Sequence, residues 1–246
     1  MKETNLHPGG DCLRKGTDMK DKFVYLFDEG NAEMHQLLGR KGANLAEMVS
    51  MNLPVPSGFI ITTDACRHYY EEGKYIDPLI EKQIEDALAD LEYRTGKTFN
   101  GEENPLLVSV RSGSSISMPG MMDTVLNLGL NDKTVLHLAS KTNNSIFAYD
   151  SYRRFIQMFG DIVLGVDGDL FEDELEQMKQ LAHVAKDSEL QENHLLSLIQ
   201  KYKKIIEEET GNAFPQDPKE QLMMAIGAVF SSWYNQRAIP ENSQNT

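Results

Sequence analysis

One stretch, residues 105–132, limits what this chain can fold into more than any other. It reads PLLVSVRSGSSISMPGMMDTVLNLGLND. The short apolar run at 106–110 predicts a buried strand, which ends at Arg111. Small Gly and Ser residues follow, and a Met-Pro-Gly turn at 118–120 leads into a second apolar run at 125–126. The pattern therefore predicts a strand, a loop of small residues and a second strand.

A strand that delivers an arginine into a loop of glycine and serine is a candidate anion site. Small residues let backbone N–H groups approach phosphate oxygens, and the guanidinium of Arg111 offers a planar fork of donors. The same residues also suit a flexible surface loop that carries one solvated arginine. From residue types alone, both interpretations stay open.

The second informative stretch is LLGRKGANLAEM, at residues 37–48. Leu45 and Met48 repeat at helical spacing, so we expect a helix that opens near Gly42. Lys41 then lies where a helix N-terminus presents unpaired N–H groups and a partial positive charge. No Ser or Thr follows Lys41 at the spacing of a Walker A loop. Taken alone, the stretch favours a solvated lysine beside a tight turn over a phosphate ligand.

Composition bounds the class of protein. The 246 residues predict one to two compact units, and 40% hydrophobic with 25% charged residues is ordinary for a globular chain. The formal net charge of −14 argues against nucleic acid or an anionic membrane as partner. An anion site here has to be locally basic against that overall charge.

Cysteine and histidine usage indicates neither a disulfide framework nor a metal centre. Cys12 and Cys66 are the only cysteines, and the six histidines show no metal-ligand spacing, so we expect no metal site in this chain. No apolar window reaches transmembrane length, and the N-terminus lacks the apolar core of a secretory signal. We expect a cytoplasmic protein.

Periodicity predicts two further strands and a series of helices. The strands are expected at 23–27 and 59–62. A helix capped by Thr63 or Asp64 should end near Gly73, and Asp77-Pro78 should open one that ends at Gly96. Later helices are expected at 131–141, 147–160, 171–185, 192–210 and 218–233. In the second of these, Tyr152, Phe155, Ile156 and Phe159 form a stripe that should face the core.

Several motifs, in one order, resemble the ATP-binding domain of the pyruvate, phosphate dikinase family. They are LLGRKGANLAEM at 37–48, PVPSGFIITTDAC at 54–66, SVRSG with SMPGMMDT and LNLGLND within 105–132, FAYDSYRRFIQMFGD at 147–161 and FPQDPKEQL at 214–222. The resemblance covers about residues 22–239. One departure is Arg40, where the family usually has glycine, so the loop is expected to approach a ligand less closely.

The resemblance implies an α+β fold of the ATP-grasp-like kind. We expect a nucleotide-binding lobe with a small sheet at 22–130 and a helical subdomain at 131–214. The segment 1–21 is polar and shows no periodicity, so it should be a disordered extension. A helix within 215–239 should return to the first lobe, and 240–246 should form a disordered tail. We expect the strands near Val24, Ile60 and Val108 to share one sheet.

The resemblance also implies a set of site residues. Lys41 and Arg111 match triphosphate ligands with a catalytic role, and the loop at 113–124 matches one that covers the nucleotide, with Met122 near the base. The other candidates for binding ATP are Gly42, Ser112, Gly113, Ser117, Met118, Gly120, Asp123 and Thr124. Asp123 also suits a plain turn-stabilising carboxylate. Arg153 and Arg154 match a region associated with inorganic phosphate, and since they point about 100° apart on a helix, at most one should face the cleft.

The implied parent activity converts ATP, phosphate and pyruvate to AMP, pyrophosphate and phosphoenolpyruvate through a phosphohistidine. The magnesium ligands, the carrier histidine and the pyruvate domain of that family lie beyond this chain, which alone should be inactive. The full enzyme should be a homo-oligomer. Two alternatives remain: a phosphoenolpyruvate synthase domain, whose corresponding loop is alanine-rich, and a non-catalytic helical module that binds a partner.

Overall fold

The chain folds as a helical body that carries two small antiparallel pairs of strands. The computed structural model describes residues 22–101, 103–113 and 124–237, with side chains as far as residue 232. The first half contains β1 (Val24–Leu26), α1 (His35–Ser50), β2 (Phe59–Ile61), α2 (Thr63–Glu71), α3 (Pro78–Thr95), β3 (Val108–Arg111) and β4 (Thr124–Leu128). The second half contains α4 (Thr134–Thr142), α5 (Ser145–Ile162), α6 (Gly168–Ala182), α7 (Glu192–Thr210) and α8 (Pro218–Arg237). The α+β class is confirmed, while the expected extension at 1–21 and tail at 240–246 lie outside the described residues.

The strands form two separate antiparallel pairs. β1 pairs with β2, and β3 pairs with β4. The prediction that Val108 shares a sheet with Val24 and Ile60 is therefore wrong. At the start of β1, the side chain of Gln83 on α3 accepts hydrogen bonds from the N–H groups of Phe23 and Val24, at 2.8 and 3.1 Å. The Gln83 side chain thus accepts from two backbone N–H groups that would otherwise need an acceptor on a neighbouring strand.

The β3–β4 pair contains an irregularity. Val108 faces Leu128 and Val110 faces Val125, so β4 carries one extra residue between the two pairs. Asn127 in that segment has φ of 62°, a left-handed conformation that asparagine tolerates better than most residues. The bulge lets both Val125 and Leu128 reach the core, where neither is exposed.

The helix α5 lies at the centre of the packing. It contacts α4, α6, α7 and β4. Its predicted stripe is confirmed, because Tyr152, Phe155, Ile156 and Phe159 are all buried. The rings of Phe155 and Phe159 meet Phe214 edge-on at centroid distances of 5.8 and 5.6 Å, a favoured aromatic geometry.

The last helix returns to the first half of the chain, as expected. α8 packs on β3 and β4, with Leu222, Ile226 and Phe230 buried. Gln221 is fully buried, accepts from the N–H of Gly129 at 2.9 Å and donates to the carbonyls of Leu130 and Pro215. These bonds lock α8 against the end of β4.

Local capping signals in the sequence predicted most of the helix ends. Asp77 accepts from the N–H of Leu79 at the start of α3, and Gly96 and Gly211 end α3 and α7 in left-handed conformations. The cap of α2 is Thr62, so the prediction of Thr63 or Asp64 was wrong by one or two residues. The helix expected at 171–185 runs instead at Gly168–Ala182, because Asp167 caps it.

Candidate functional site

The glycine at position 39 interrupts α1 just before the predicted site lysine. Its φ of 70° and ψ of 162° are non-helical, so the helical segment resumes at Arg40, two residues before the expected Gly42. Lys41 is exposed in the first turn of that segment, where backbone N–H groups lack helical partners. Arg40 is not among the residues with positive φ, so its side chain costs no backbone strain.

The break at Gly39 lies against the end of β3. A Cβ atom built on Gly39 would stand 3.4 Å from the carbonyl oxygen of Gly113 and 3.5 Å from its Cα. These are ordinary van der Waals distances, so the two backbones lie directly beside each other. The two separate sequence motifs, 37–48 and 105–132, are thereby brought together at one place.

Arg111 lies at the C-terminal end of β3 and is exposed. It pairs with Thr124, the half-buried first residue of β4, and the next pair, Val110 with Val125, points to the core. Cross-strand partners share a face and neighbours alternate, so Arg111 lies on the same face as Thr124 and Leu126. Ser112 is buried beneath this edge, with 4% of its surface exposed.

Among the residues that the structure describes, the cations around this meeting point lack acidic partners. Arg40, Lys41 and Arg111 are exposed, and within the described ranges no carboxylate forms an ion pair with any of them. Elsewhere in this acidic chain cations are commonly paired, as Lys219 is with Glu81 and Glu85. Three unpaired positive charges beside a helix N-terminus are suited to an anion.

A groove of about 410 Å³ runs between β4 and α5, and we call it the hairpin groove. Leu126 and Asn127 of β4 form one wall. The wall from α5 consists of Ser151, Arg154, Phe155, Gln157, Met158, Asp161 and Ile162. Because Leu126 shares a face with Arg111, the groove opens on the same side of the β3–β4 hairpin as that arginine.

The two adjacent arginines of α5 have different environments. Arg153 is buried, with 2% of its surface exposed, and bonds to Asp150 and Gln157. Burial alone lowers the pKa of Arg153, but the hydrogen bond and charge of Asp150 outweigh it, so the pKa is raised and the guanidinium stays charged. Arg154 is exposed and lines the hairpin groove. Only Arg154 is accessible to a ligand there.

The remaining predicted site residues divide into two groups. Gly42 is buried against β2, where a Cβ would stand 3.1 Å from the Ile60 side chain, so this glycine serves the packing of α1 on the strand. Ser117, Met118, Gly120, Met122 and Asp123 lie outside the described residues. Their predicted roles stay predictions.

The part of the chain that the structure describes shows neither a metal cluster nor a membrane-spanning helix. In residues 22–101, 103–113 and 124–237, no group of three or more His, Cys, Asp or Glu side chains is placed to hold a metal ion. The described residues therefore do not form a binding site for magnesium. No helix in the described ranges has the length and apolar character that a membrane crossing requires.

Sequence reasoning missed two residues at this site. Gly39 was overlooked in favour of Gly42, although glycine adopts a positive φ more readily than any other residue. Asp150 was also missed; it stands three and four residues before the arginine pair, which is the spacing of helical ion pairs.

Comparison with known proteins agrees with the fold and the sequence motifs. The model of a family described as pyruvate phosphate dikinase, AMP/ATP-binding domain, matches residues 35–92 and 76–245. The chain belongs to this family of nucleotide-binding domains. It is 52% identical over 225 residues to the pyruvate, phosphate dikinase of Clostridium symbiosum and 51% identical over 222 residues to that of Rhizobium meliloti.

The extent of these matches is asymmetric. They cover 91% and 89% of this chain but only 26% and 25% of the two relatives. The pyruvate, phosphate dikinase of Entamoeba histolytica gives the same result, at 50% identity over 88% of this chain and 24% of the relative. The chain thus spans about a quarter of the length of these relatives. These matches favour the dikinase family over a phosphoenolpyruvate synthase domain and over a non-catalytic helical module.

Proposed function

We propose that this chain is the ATP-binding portion of a pyruvate, phosphate dikinase, and that Lys41 and Arg111 bind the phosphates of ATP. The observation that carries the proposal is the contact between Gly39 and Gly113, which brings the two motifs to one place. The parent reaction converts ATP, phosphate and pyruvate to AMP, pyrophosphate and phosphoenolpyruvate. The chain contributes nucleotide binding to it.

The chemistry required of these residues is positioning and charge stabilisation. In phosphoryl transfer, negative charge spreads over the phosphate oxygens, and fixed cations and N–H donors stabilise it. Lys41 supplies a point charge beside the free N–H groups of α1, while Arg111 supplies a planar fork of donors. The loop at 113–124 would then cover the nucleotide, with Met122 against the base.

The inorganic phosphate of the parent reaction has a candidate position beside the nucleotide. Arg154 lines the hairpin groove, on the same side of the hairpin as Arg111. Both binding subsites would then lie along one face. Arg153 is not part of this proposal, because its guanidinium is buried and bound by Asp150 and Gln157.

The chain alone should bind ATP weakly and not hydrolyse it. In the proposed whole enzyme, the opposing lobe, the magnesium ligands, the carrier histidine and the pyruvate domain belong to downstream sequence. We also propose that the enzyme is cytoplasmic and homo-oligomeric. Two cations that each contribute about 1.5–3 kcal/mol give a dissociation constant on the order of 1 mM.

Calorimetric titration of ATP into the chain tests the proposal. Lys41→Gln and Arg111→Gln should each weaken binding by about tenfold or more, since each removes a charge-assisted contact. The matched control is Lys97→Gln, because Lys97 is also exposed and follows a helix rather than opening one. It should change the affinity by less than about twofold, through general charge alone.

Two results would contradict the proposal. Equal losses in the Lys97 control and the two site variants would mean that ATP responds only to net charge. Steady ATP hydrolysis by the unmodified chain would mean that it holds a complete catalytic centre.

A further inference from the structure

The carboxylate of Asp150 is held between the two arginines of α5. Its Oδ1 accepts from Nε of Arg153 at 3.0 Å and from Nη2 of the same residue at 2.8 Å. Its Oδ2 accepts from Nε of Arg154 at 2.8 Å. One carboxylate therefore joins a buried guanidinium to an exposed one.

The buried end of this chain of contacts is fixed. Arg153 also donates from Nη1 to Gln157 at 3.3 Å, and its Nη2 lies 3.6 Å from the carboxylate of Asp187. Tyr202 of α7 is a further neighbour that raises the pKa of Arg153. With partners on three elements and 2% exposure, this guanidinium has no freedom to follow a moving carboxylate. Asp150 is consequently held in place.

The exposed end is directed by that carboxylate. Arg154 uses its Nε for Asp150, and in the described structure its two terminal nitrogens make no further hydrogen bond. The residue lines the hairpin groove. We infer that Asp150, anchored by Arg153, is a positioning residue that aims the terminal N–H groups of Arg154 into the groove, where they bind one tetrahedral oxyanion. This inference rests on the proposed phosphate subsite.

The arrangement differs from an ordinary surface ion pair. An exposed pair four residues apart on a helix stabilises little, because two mobile side chains have to be ordered to form it. The pair of Lys82 and Asp86 on α3 is of that kind, with side chains 63% and 66% exposed. Asp150 is only 26% exposed and already fixed by a buried partner. Arg154 therefore loses less conformational entropy when an oxyanion binds.

Titration of inorganic phosphate into ¹⁵N-labelled chain tests the inference. The readouts are the Nε–H signals of the arginine side chains and, for variants that lack Arg154, the backbone amide signals of Leu126 and Asn127 in the groove. In the unmodified chain, the Arg154 signal should shift with phosphate. Asp150→Asn removes the charge but not the shape, and should weaken phosphate binding by about tenfold. Asp86→Asn makes the same chemical change in the exposed pair and should leave phosphate binding unaltered.

A second variant keeps the test decisive if Asp150→Asn loses its fold. Arg154→Lys lies at an exposed position and retains the positive charge, but lysine has no Nε–H for Asp150 and no planar fork. It should weaken phosphate binding by about as much as Asp150→Asn, roughly tenfold. In the Arg154→Lys background, adding Asp150→Asn should have no further effect.

The outcomes separate this inference from the function it rests on. If Arg154→Gln abolishes phosphate binding while Asp150→Asn and Arg154→Lys leave it intact, the subsite stands and the positioning role is overturned. If phosphate shifts no signal of Arg154 in the unmodified chain, the oxyanion site and this inference both fall. The nucleotide site is then judged by its own ATP titration.

Discussion

At the scale of single residues, Gly39 does the most to shape the proposed site. Its φ of 70° and ψ of 162° fall in a region that is essentially restricted to glycine. Gly113, at the end of β3, lies beside it at ordinary van der Waals distance. One glycine thus interrupts α1 and exposes the N–H groups beside Lys41, at the point where α1 meets the end of β3.

Replacing Gly39 by alanine should therefore affect both stability and binding. We expect Gly39→Ala to lower the free energy of unfolding by about 1–3 kcal/mol, because the backbone conformation is strained for any residue with a Cβ. ATP affinity should fall as well, because relief of this backbone strain shifts the segment that carries Lys41 relative to Gly113. Chemical denaturation and an ATP titration measure the two effects.

Gly73 provides the control for this change. It also has a positive φ, of 74°, but a Cβ there would meet no atom within 4 Å. Gly73→Ala should destabilise the fold by about 1 kcal/mol and leave ATP affinity unchanged. If both variants lose ATP affinity equally, the contact between Gly39 and Gly113 does not position the site.

Tyr152 is a buried residue whose titration should reduce stability at alkaline pH. Burial raises the pKa of its phenol above the ordinary value of 10.0, and the neighbouring Asp132 raises it further. The folded state then holds its proton above pH 10 while the unfolded state loses it. The contribution of Tyr152 to stability is thus complete below about pH 10 and declines as pH rises further.

This pH dependence can be measured by urea denaturation between pH 9 and 11. The free energy of unfolding should fall over that interval, and Tyr152→Phe should make the fall shallower. Tyr93 is 89% exposed, so Tyr93→Phe should leave the slope as it is. An unchanged slope in Tyr152→Phe would show that the phenol ionises as easily in the folded chain as in the unfolded one.

At the scale of elements, α5 joins the core to the proposed phosphate subsite. One face carries the aromatic stripe that packs on Phe214, and another carries Arg154 at the groove. Between the two, Arg153 ties α5 to the Asp187–Glu189 turn and to α7. The position of the groove wall therefore depends on how tightly α5 is packed.

The packing of α5 can be tested at Phe155, which has no exposed surface. Phe155→Ala should lower the free energy of unfolding by about 3–5 kcal/mol, since it opens a cavity among rings that cannot fully collapse. Thermal or chemical denaturation measures the loss. Phe147, on the same helix and 51% exposed, is the control, and Phe147→Ala should cost well under half as much. Equal losses in the free energy of unfolding would mean that the orientation of α5 does not determine which of its side chains form the core.

The sequence predicted the helices and their caps better than the strand partners. Asp77-Pro78, Gly96 and Gly211 are local signals that act on the residues beside them, so they could be read without tertiary information. The partner of Val108 depends on contacts distant along the chain, and the capping of β1 by Gln83 has no sequence signature. Pattern alone likewise left open which arginine of α5 is buried, because the answer depends on Tyr202 and Asp187 of later elements.

At the scale of the whole molecule, the proposed site gathers positive charge in an acidic chain. The chain carries a formal net charge of −14, and yet Arg40, Lys41 and Arg111 lack acidic partners in the described structure. Such a local excess of positive charge attracts a polyanion against the overall field. The chain corresponds to about a quarter of the length of its relatives.

The central claim is that the motifs at Lys41 and Arg111 bind one ATP molecule together. Titration of ATP into ¹⁵N-labelled chain, followed by backbone amide signals, tests this directly. The signals of Gly39, Lys41, Ser112 and Gly113 should shift along a single saturation curve. A second groove, between α3 and α8 and lined by Ile84, Leu88 and Met223 among others, should give no shift. A response from only one of the two motifs, or two curves with different dissociation constants, would contradict the account.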